Sequence, residues 1–374
     1  MLAVPRVVTE LGARRVLLVC GRRSFEASGA ARMLPDLERV ARVRRFSEFT
    51  PNADVADLTH GLRTAAEFDP DLVLGVGGGS ALDLAKLLCA YQGTTDQTEL
   101  AGQIRAGRQI AARRARLVLA PTTSGSGSEA THFAVVYVDG EKFSVAGPVL
   151  RPDVAVLDPD LPASGSAYQR ATSGIDAVAQ AIESMWAVAA TEQSRRWARW
   201  ALALLLPCIE RFVNQPDDRS GRAMTIGSHL AGRAIDSSKT TAAHALSYGF
   251  TTRYGISHGH AVALTLGGFL AVHTDLRLGR LRPGVDRGAH AETMRELCAR
   301  LGAGDPLAAG AGDRLRERFV SLLERLGLAP TLSRLGHVAN DLRTLAEGVN
   351  LERLSNNPVA LDVDELTKII SWSS

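Results

Sequence analysis

The stretch Val73-Leu74-Gly75-Val76-Gly77-Gly78-Gly79-Ser80-Ala81-Leu82-Asp83 decides the reading of the fold. An apolar run, Leu72–Val76, enters three consecutive glycines, and a helical pattern, Ala81–Tyr91, leaves them. Glycine carries no Cβ, so the N–H groups of such a turn can come close to an anion. The helix start adds the positive end of its dipole. The stretch reads either as a phosphate cradle or as a tight strand-to-helix turn. It is not a GxGxxG motif, because Ser80 holds the last position.

Working outward, apolar strand runs alternate with helical spacing. Arg15–Cys20 reads as a strand, Leu34–Val43 and Ala56–Phe68 as helices, and Arg116–Ala120, Phe133–Val138 and Val154–Leu157 as further strands. This alternation predicts a parallel sheet covered on both faces. Beyond Pro159 the periodicity is almost wholly helical: Ser173–Ala187, Glu192–Asn214, Asp218–Asp236, Thr241–Arg253, His260–His273, Ala289–Leu301, Asp313–Leu326 and Asp362–Trp372. The expected architecture is an α/β domain over 1–158 followed by an all-α domain over 159–374. The Arg- and Gly-rich segment Leu276–Gly288 reads as a surface loop.

A chain of 374 residues suits two domains. Its 45% hydrophobic and 22% charged residues are those of an ordinary globular protein. The net charge of +3 is too small an excess for a nucleic-acid binder without a basic cluster. The longest apolar run, Trp200–Ile209, contains Pro207 and is far short of the roughly 20 residues of a membrane span. The first residues lack the charge-then-apolar order of a signal peptide. Four scattered cysteines with no CxxC read as reduced thiols of a cytoplasmic protein. Only four of the 43 basic residues are lysines, Lys86, Lys142, Lys239 and Lys368.

Two more turns follow strands. Pro121-Thr122-Thr123-Ser124-Gly125-Ser126-Gly127-Ser128-Glu129 is rich in hydroxyls and glycine, and it reads as a second wall of a nucleotide site or as a flexible loop. Cys20-Gly21-Arg22-Arg23-Ser24 offers Gly21 and arginines where an acidic residue would hold ribose hydroxyls and repel a 2′-phosphate. That favours NADP(H) over NAD(H), although exposed arginines are also ordinary in a solvated turn. In the helical half, Asp176 and Gln180 are four residues apart and share a helix face. His244 and the run His258-Gly259-His260 follow. Carboxylate with imidazole suits Fe, Mn or Zn, while a lone histidine is more often a satisfied core group.

Together these features resemble the iron-containing (group III) alcohol dehydrogenases. The resemblance rests on Pro51-Asn52, the Gly77–Asp83 turn, the Pro121–Glu129 segment, Lys142 before Pro152-Asp153, Gly174-Ile175-Asp176, His244 with His258-Gly259, and Asn357-Pro358. It implies a Rossmann-like N-terminal domain and an all-α C-terminal domain, the dehydroquinate synthase-like fold. By similarity, Gly77, Gly78, Gly79, Ser80 and Asp83 contact the cofactor's pyrophosphate and ribose, with Thr122, Thr123, Ser126, Lys142 and Asn52 as further contacts. The family holds one divalent metal by an Asp and three His, and Asp176, His244 and His258 fall on three of those positions. Gln180 stands on the fourth. Its amide oxygen is a weaker ligand than imidazole, so the metal, with Fe first and Mn or Zn next, is held more loosely or not at all. Tyr248 stands where many members carry a second His of the proton path.

The wording of Ser173–Ser184, Ser238–Tyr248 and His258–Val262 further resembles the phosphonoacetaldehyde reductase (2-hydroxyethylphosphonate dehydrogenase) branch of phosphonate natural-product pathways. The expected reaction is hydride transfer from NAD(P)H to the aldehyde carbon, with carbonyl polarisation at the metal and a proton from water, His260 or Tyr248. Lys239, Arg253 and His132 are candidate cationic contacts to the phosphonate. Arg253 reads equally as a solvated cation at a helix C-terminus. The alternatives are a reductase of uncharged aldehydes, a metal-dependent cyclase of the dehydroquinate synthase type, and a non-catalytic nucleotide-binding regulator. A homodimer is expected from the resemblance.

Overall fold

The computed structural model describes residues 1–276, 279–338 and 341–374. The chain divides into two compact units, Met1–Gly165 and Ser166–Ser374.

The first unit carries strands β1 (Arg15–Cys20), β2 (Arg42–Phe46), β3 (Leu72–Gly77), β4 (Arg116–Pro121), β5 (Phe133–Val138), β6 (Glu141–Ala146) and β7 (Val154–Ala155). Its helices are α1 (Val4–Glu10), α2 (Ser24–Ala27), α3 (Leu34–Val40), α4 (Val55–Phe68), α5 (Gly79–Ala90), α6 (Gln97–Arg105) and α7 (Asp160–Ala163). Five strands form one sheet in the order β2-β1-β3-β4-β7, and every pairing is parallel. The central strands are buried on both faces, which is why they read as continuous apolar runs rather than alternating ones. Leu17, Val19, Val73, Leu117 and Leu119 point into one core and Val16, Leu18, Leu72, Leu74 and Val118 into the other. Each such side chain contributes about 1.5–3 kcal/mol by leaving water.

Two expectations are corrected here. Phe133–Val138 is a strand, but it lies outside the parallel sheet. It pairs antiparallel with β6 as a separate two-stranded ribbon. The cause is the Asp139-Gly140 turn, where both residues have positive φ (51° and 80°), the geometry of a two-residue hairpin. The expected Val154–Leu157 strand is reduced to two residues at the sheet edge.

The second unit comprises α8 (Ala167–Trp186), α9 (Glu192–Asn214), α10 (Asp218–Ser238), α11 (Ala242–Tyr254), α12 (His258–Asp275), α13 (Arg287–Leu301), α14 (Ala311–Arg325), α15 (Leu342–Glu347), α16 (Leu351–Ser355) and α17 (Val363–Ser371). It also has a minimal ribbon of β8 (Arg280–Leu281) and β9 (Val359–Ala360). The expected surface loop over 276–288 is therefore partly strand, and its residues 277 and 278 lie outside the described residues. Helix α8 starts six residues before the expected Ser173. Ser166 caps it, accepting from the Gln169 N–H while the Gln169 side chain accepts from the Ser166 N–H. No helix among the described residues is long and apolar enough to cross a membrane. The four cysteines are free, and burial pushes the Cys20 thiol up to about 11 and the Cys89 thiol up to about 12.

Candidate functional site

In the first unit the chain runs from β1 to β2 on one side and then returns to β3 on the other. The turns after β1 and β3 therefore flank the point where strand order reverses, the place where open α/β sheets bind ligands. The turn after β4 is their neighbour, since β3 and β4 are paired. The structure brings three predicted groups together here. The Thr122 N–H donates to the Gly77 carbonyl at 2.9 Å. A Cβ on Gly78 would lie 3.4 Å from Thr123 Cγ2, and one on Gly79 would lie 3.1 Å from Ser126 Cβ. The β4 turn thus lies in contact range of both glycines, and only Gly79 would ask its neighbour to give by a few tenths of an ångström. Asn52 sits at φ 62° in the next loop, and its N–H donates to Ser80 Oγ at 3.1 Å. Gly78 precedes the first turn of α5, and no side chain caps that turn. Its orphan N–H donors face the same edge as the β1 and β4 turns.

Asp83, expected at the cofactor's ribose, is also engaged within its own unit. Its carboxylate accepts from Ser128 Oγ at 2.5 Å and from the Val135 N–H at 3.0 Å, which ties α5 to the β4–β5 connection. Burial raises its pKa against the lowering effect of Lys86 and Lys142. Lys142 is placed on β6 opposite Tyr137. Lys86 is fully buried, and its Nζ donates to Thr131 Oγ1 at 2.9 Å and the Phe133 carbonyl at 2.8 Å. At the β1 turn Arg22 is exposed, and the turn's shape comes from Arg45 on β2. Arg45 Nη2 donates to the carbonyls of Gly21 (3.3 Å) and Arg22 (3.0 Å), while its Nη1 pairs with Glu26. Arg45 was missed because an arginine-rich run, RVRRF, does not look like a strand. It is an edge strand, where charge is the usual guard against unwanted pairing.

In the second unit, Asp176, His244 and His258 converge. One ligand atom from each lies within 4.8 Å of the others. Asp176 Oδ1 is 3.3 Å from His244 Nε2 and 4.0 Å from His258 Nε2. Three helices deliver them: Asp176 from the middle of α8, His244 from the first turn of α11, and His258 from the start of α12. Gly259 permits the approach, since a Cβ there would lie 2.0 Å from the Thr172 carbonyl oxygen and 2.9 Å from Asp176 Cβ. Both rings are turned the same way. His244 Nδ1 meets the Glu183 carboxylate, and His258 Nδ1 is 3.4 Å from Ser247 Oγ, so each Nε2 points into the cluster.

Asp176 Oδ1 and His244 Nε2 are buried, and neither makes a hydrogen bond among the described residues. Two lone-pair atoms facing each other need a proton or a cation between them. Burial works to lower the pKa of His244, but Glu183 and Asp176 raise it to about 10. A carboxylate oxygen and two imidazole nitrogens are a donor set for Fe, Mn or Zn, so these residues fit a divalent metal.

The remaining predicted residues fall as follows. Gln180 is buried beside the cluster, but its Nε2 donates to Asp176 Oδ2 at 3.2 Å. In this arrangement it orients the carboxylate and presents no oxygen along that contact. Tyr248 stacks on His258 with rings 6.2 Å apart and 14° from parallel. The structure does not bring His260 to the cluster. Its Nε2 is 2.7 Å from the Ala329 carbonyl and its Nδ1 is 3.3 Å from Tyr168 Oη, so both nitrogens are engaged. Lys239 follows Ser238, whose Oγ donates to Ser184 Oγ on α8, and its Nζ is 3.5 Å from the Asp236 carbonyl. Arg253 is exposed at the end of α11, about 13 Å of helix rise beyond His244. His132 lies in the first unit at the start of β5, its ring edge-on to Phe133. Glu183 was missed, although a carboxylate two turns after Asp176 in an apolar helix was a usable signal.

An α/β unit with an anion-type turn at its switch point, and a helical unit with an Asp/His/His cluster, together define a class of metal- and nucleotide-type enzymes. Residues 1–159 match the family model of iron-containing alcohol dehydrogenases, and residues 170–373 match the C-terminal model of that family. The chain belongs to the iron-containing alcohol dehydrogenase family and is an oxidoreductase of the alcohol dehydrogenase and aldehyde reductase class. It is 33% identical over 334 residues to a phosphonoacetaldehyde reductase of Streptomyces viridochromogenes, covering 87% of this chain and 80% of that one. It is 32% identical over 265 residues to long-chain-alcohol dehydrogenase 1 of Geobacillus thermodenitrificans, covering 69% and 66%. In fold it matches the NAD+ complex of sulfoacetaldehyde reductase from Bifidobacterium kashiwanohense, with a TM-score of 0.85, 24% identity and coverage of 100% and 94%.

Proposed function

We propose that this chain reduces phosphonoacetaldehyde to 2-hydroxyethylphosphonate with NADPH in preference to NADH. One NADPH and one proton are consumed for each aldehyde. The observation that carries the chemistry is the pair of buried, facing acceptors, Asp176 Oδ1 and His244 Nε2. The substrate rests on the 33% identity to the phosphonoacetaldehyde reductase across most of both chains. When bound, the nicotinamide supplies the hydride and a divalent metal, iron first, supplies the Lewis acid.

The protein's part is to place them. Asp176, His244 and His258 hold the metal, and Gln180 fixes the Asp176 carboxylate. Gly77, Gly78, Gly79 and Ser80, with Thr122, Thr123 and Ser126, hold the pyrophosphate. Gly21 and Arg22 leave room and charge for a 2′-phosphate, and Asn52 and Lys142 complete the cofactor contacts. Tyr248, flat against His258, is the proton donor at its Oη, with His260 second because both its ring nitrogens are occupied. The location is the cytoplasm and the assembly a homodimer.

The family assignment replaces the cyclase alternative. A reductase of uncharged aldehydes is the second reading. The 32% identity to a long-chain-alcohol dehydrogenase supports it. The test is NADPH oxidation with phosphonoacetaldehyde and with acetaldehyde, before and after chelation and Fe(II), Mn(II) or Zn(II) add-back. Phosphonate-selective turnover that disappears on chelation is expected. Equal kcat/KM on both aldehydes overturns the substrate, and turnover that survives chelation overturns the metal.

A further inference from the structure

We propose that Glu183 is a positioning residue that makes His244 a metal ligand, by fixing which ring nitrogen carries the proton. The inference rests on the metal reading above. Glu183 is fully buried on α8, on the helix that also carries Asp176 and Gln180. Its carboxylate gathers four donors: Thr241 Oγ1 at 2.7 Å, the Ala243 N–H at 3.0 Å, the His244 N–H at 3.4 Å, and His244 Nδ1. An ionised carboxylate only accepts, so Nδ1 must donate, and the Nε2 lone pair is left facing Asp176.

The same carboxylate also caps α11 from outside. Thr241, the residue just before that helix, makes no side-chain cap of its own. Glu183 takes the first-turn N–H groups instead, where the helix dipole favours an anion. Ring orientation and helix start are thus set by one group. Thr241 is the hinge of the arrangement, since its hydroxyl donates to Glu183 while accepting from Trp186 Nε1 at 3.0 Å.

Glu183→Gln separates positioning from mere capping. A glutamine fills the same volume, and its oxygen can still accept from Thr241 and the α11 backbone. Its NH2 end then meets His244 Nδ1 as a donor. The imidazole proton moves to Nε2, and the lone pair turns away from the metal. The experiment is Co(II) affinity by chelator competition on the full chain, read with the cobalt visible absorption, alongside melting of the metal-free protein and NADPH binding. We expect E183Q to bind Co(II) about 10–100-fold more weakly, the range for outer-shell partners, with altered cobalt bands and NADPH affinity within about twofold. Thr241→Val, which removes one donor to Glu183, should weaken Co(II) about threefold and decides the matter if E183Q does not fold. E183Q affinity within twofold of wild type overturns the role of Glu183 alone. A wild-type chain that binds no Co(II) overturns the metal reading beneath it.

Discussion

The glycine turns of the first unit and the Asp176/His244/His258 cluster of the second are built on opposite principles. The turns are backbone sites. Their donors are N–H groups, and Thr123 and Ser126 lie only in ordinary or slightly tight contact range of Gly78 and Gly79. The cluster is a side-chain site. Its atoms are buried, two of them have no hydrogen bond, and each ring is steered by a second residue behind it. A backbone site tolerates substitution around it, whereas a buried polar site with open valences does not.

The largest expected effect is therefore at Asp176. Asp176→Asn keeps the volume and removes the only anionic ligand. Turnover should fall about 10²–10³-fold, and chelator competition should show the metal lost, while NADPH binding stays within about twofold. Retained turnover would erase the contrast. Next comes Gly259→Ala. Its Cβ would have to displace the Thr172 carbonyl from 2.0 Å, a backbone shift costing about 3 kcal/mol, the upper end of ordinary overpacking. Gly79→Ala asks only a few tenths of an ångström of Ser126. Thermal melting of the two variants side by side should show a drop of several degrees for the first and almost none for the second.

Legibility in the sequence followed the same divide. Strands buried on both faces announce themselves as apolar runs, so β1, β3 and β4 were plain. The edge strand β2 was not, because its exposed positions are arginines that only the edge location explains. The sequence of Phe133–Val138 marks a strand but does not say that it pairs with β6 outside the parallel sheet. Asp139-Gly140 was the turn signal that would have made it a hairpin. The cluster's residue types were visible, but their convergence was not, since it depends on Gly259 letting α12 meet α8. Lys239 and Arg253 looked close to the histidines in sequence number. On α11 Arg253 stands nine residues beyond His244, and the hydrogen bond from Ser238 to Ser184 sets the residue next to Lys239 against α8.

Acid should separate the two units by sign. Burial holds His273 well below the ordinary imidazole value of 6.5 and lowers His290 too. The unfolded chain therefore takes up protons near pH 6.5 that these folded residues refuse. Their stability contribution is full above that pH and falls on acidification, by up to about 1.4 kcal/mol per pH unit for each histidine. Asp83 in the first unit is shifted upward from 3.8, so its folded form takes the proton first and gains stability as pH falls toward that value. Hydrogen exchange at pH 7 and pH 5.5 should show protection lost in α12 and α13, with α5 spared. Equal loss in both would mean that global charge, not these buried groups, governs acid unfolding.

The smallest effect is expected at the β1 turn, and it sharpens the idea of a backbone site. Arg45 holds the turn through the carbonyls of Gly21 and Arg22, not through the Arg22 guanidinium. Arg22→Ala should therefore leave the turn in place and NADH kinetics unchanged. What it removes is one exposed cation beside the expected 2′-phosphate, a contact of about 1 kcal/mol in water. The ratio of kcat/KM for NADPH to that for NADH should drop about fivefold, and the drop should shrink at high salt. A variant that weakens both cofactors equally would mean that Arg22 shapes the turn after all. An unchanged ratio would place the 2′-phosphate, and with it the preference for NADPH, away from this strand end.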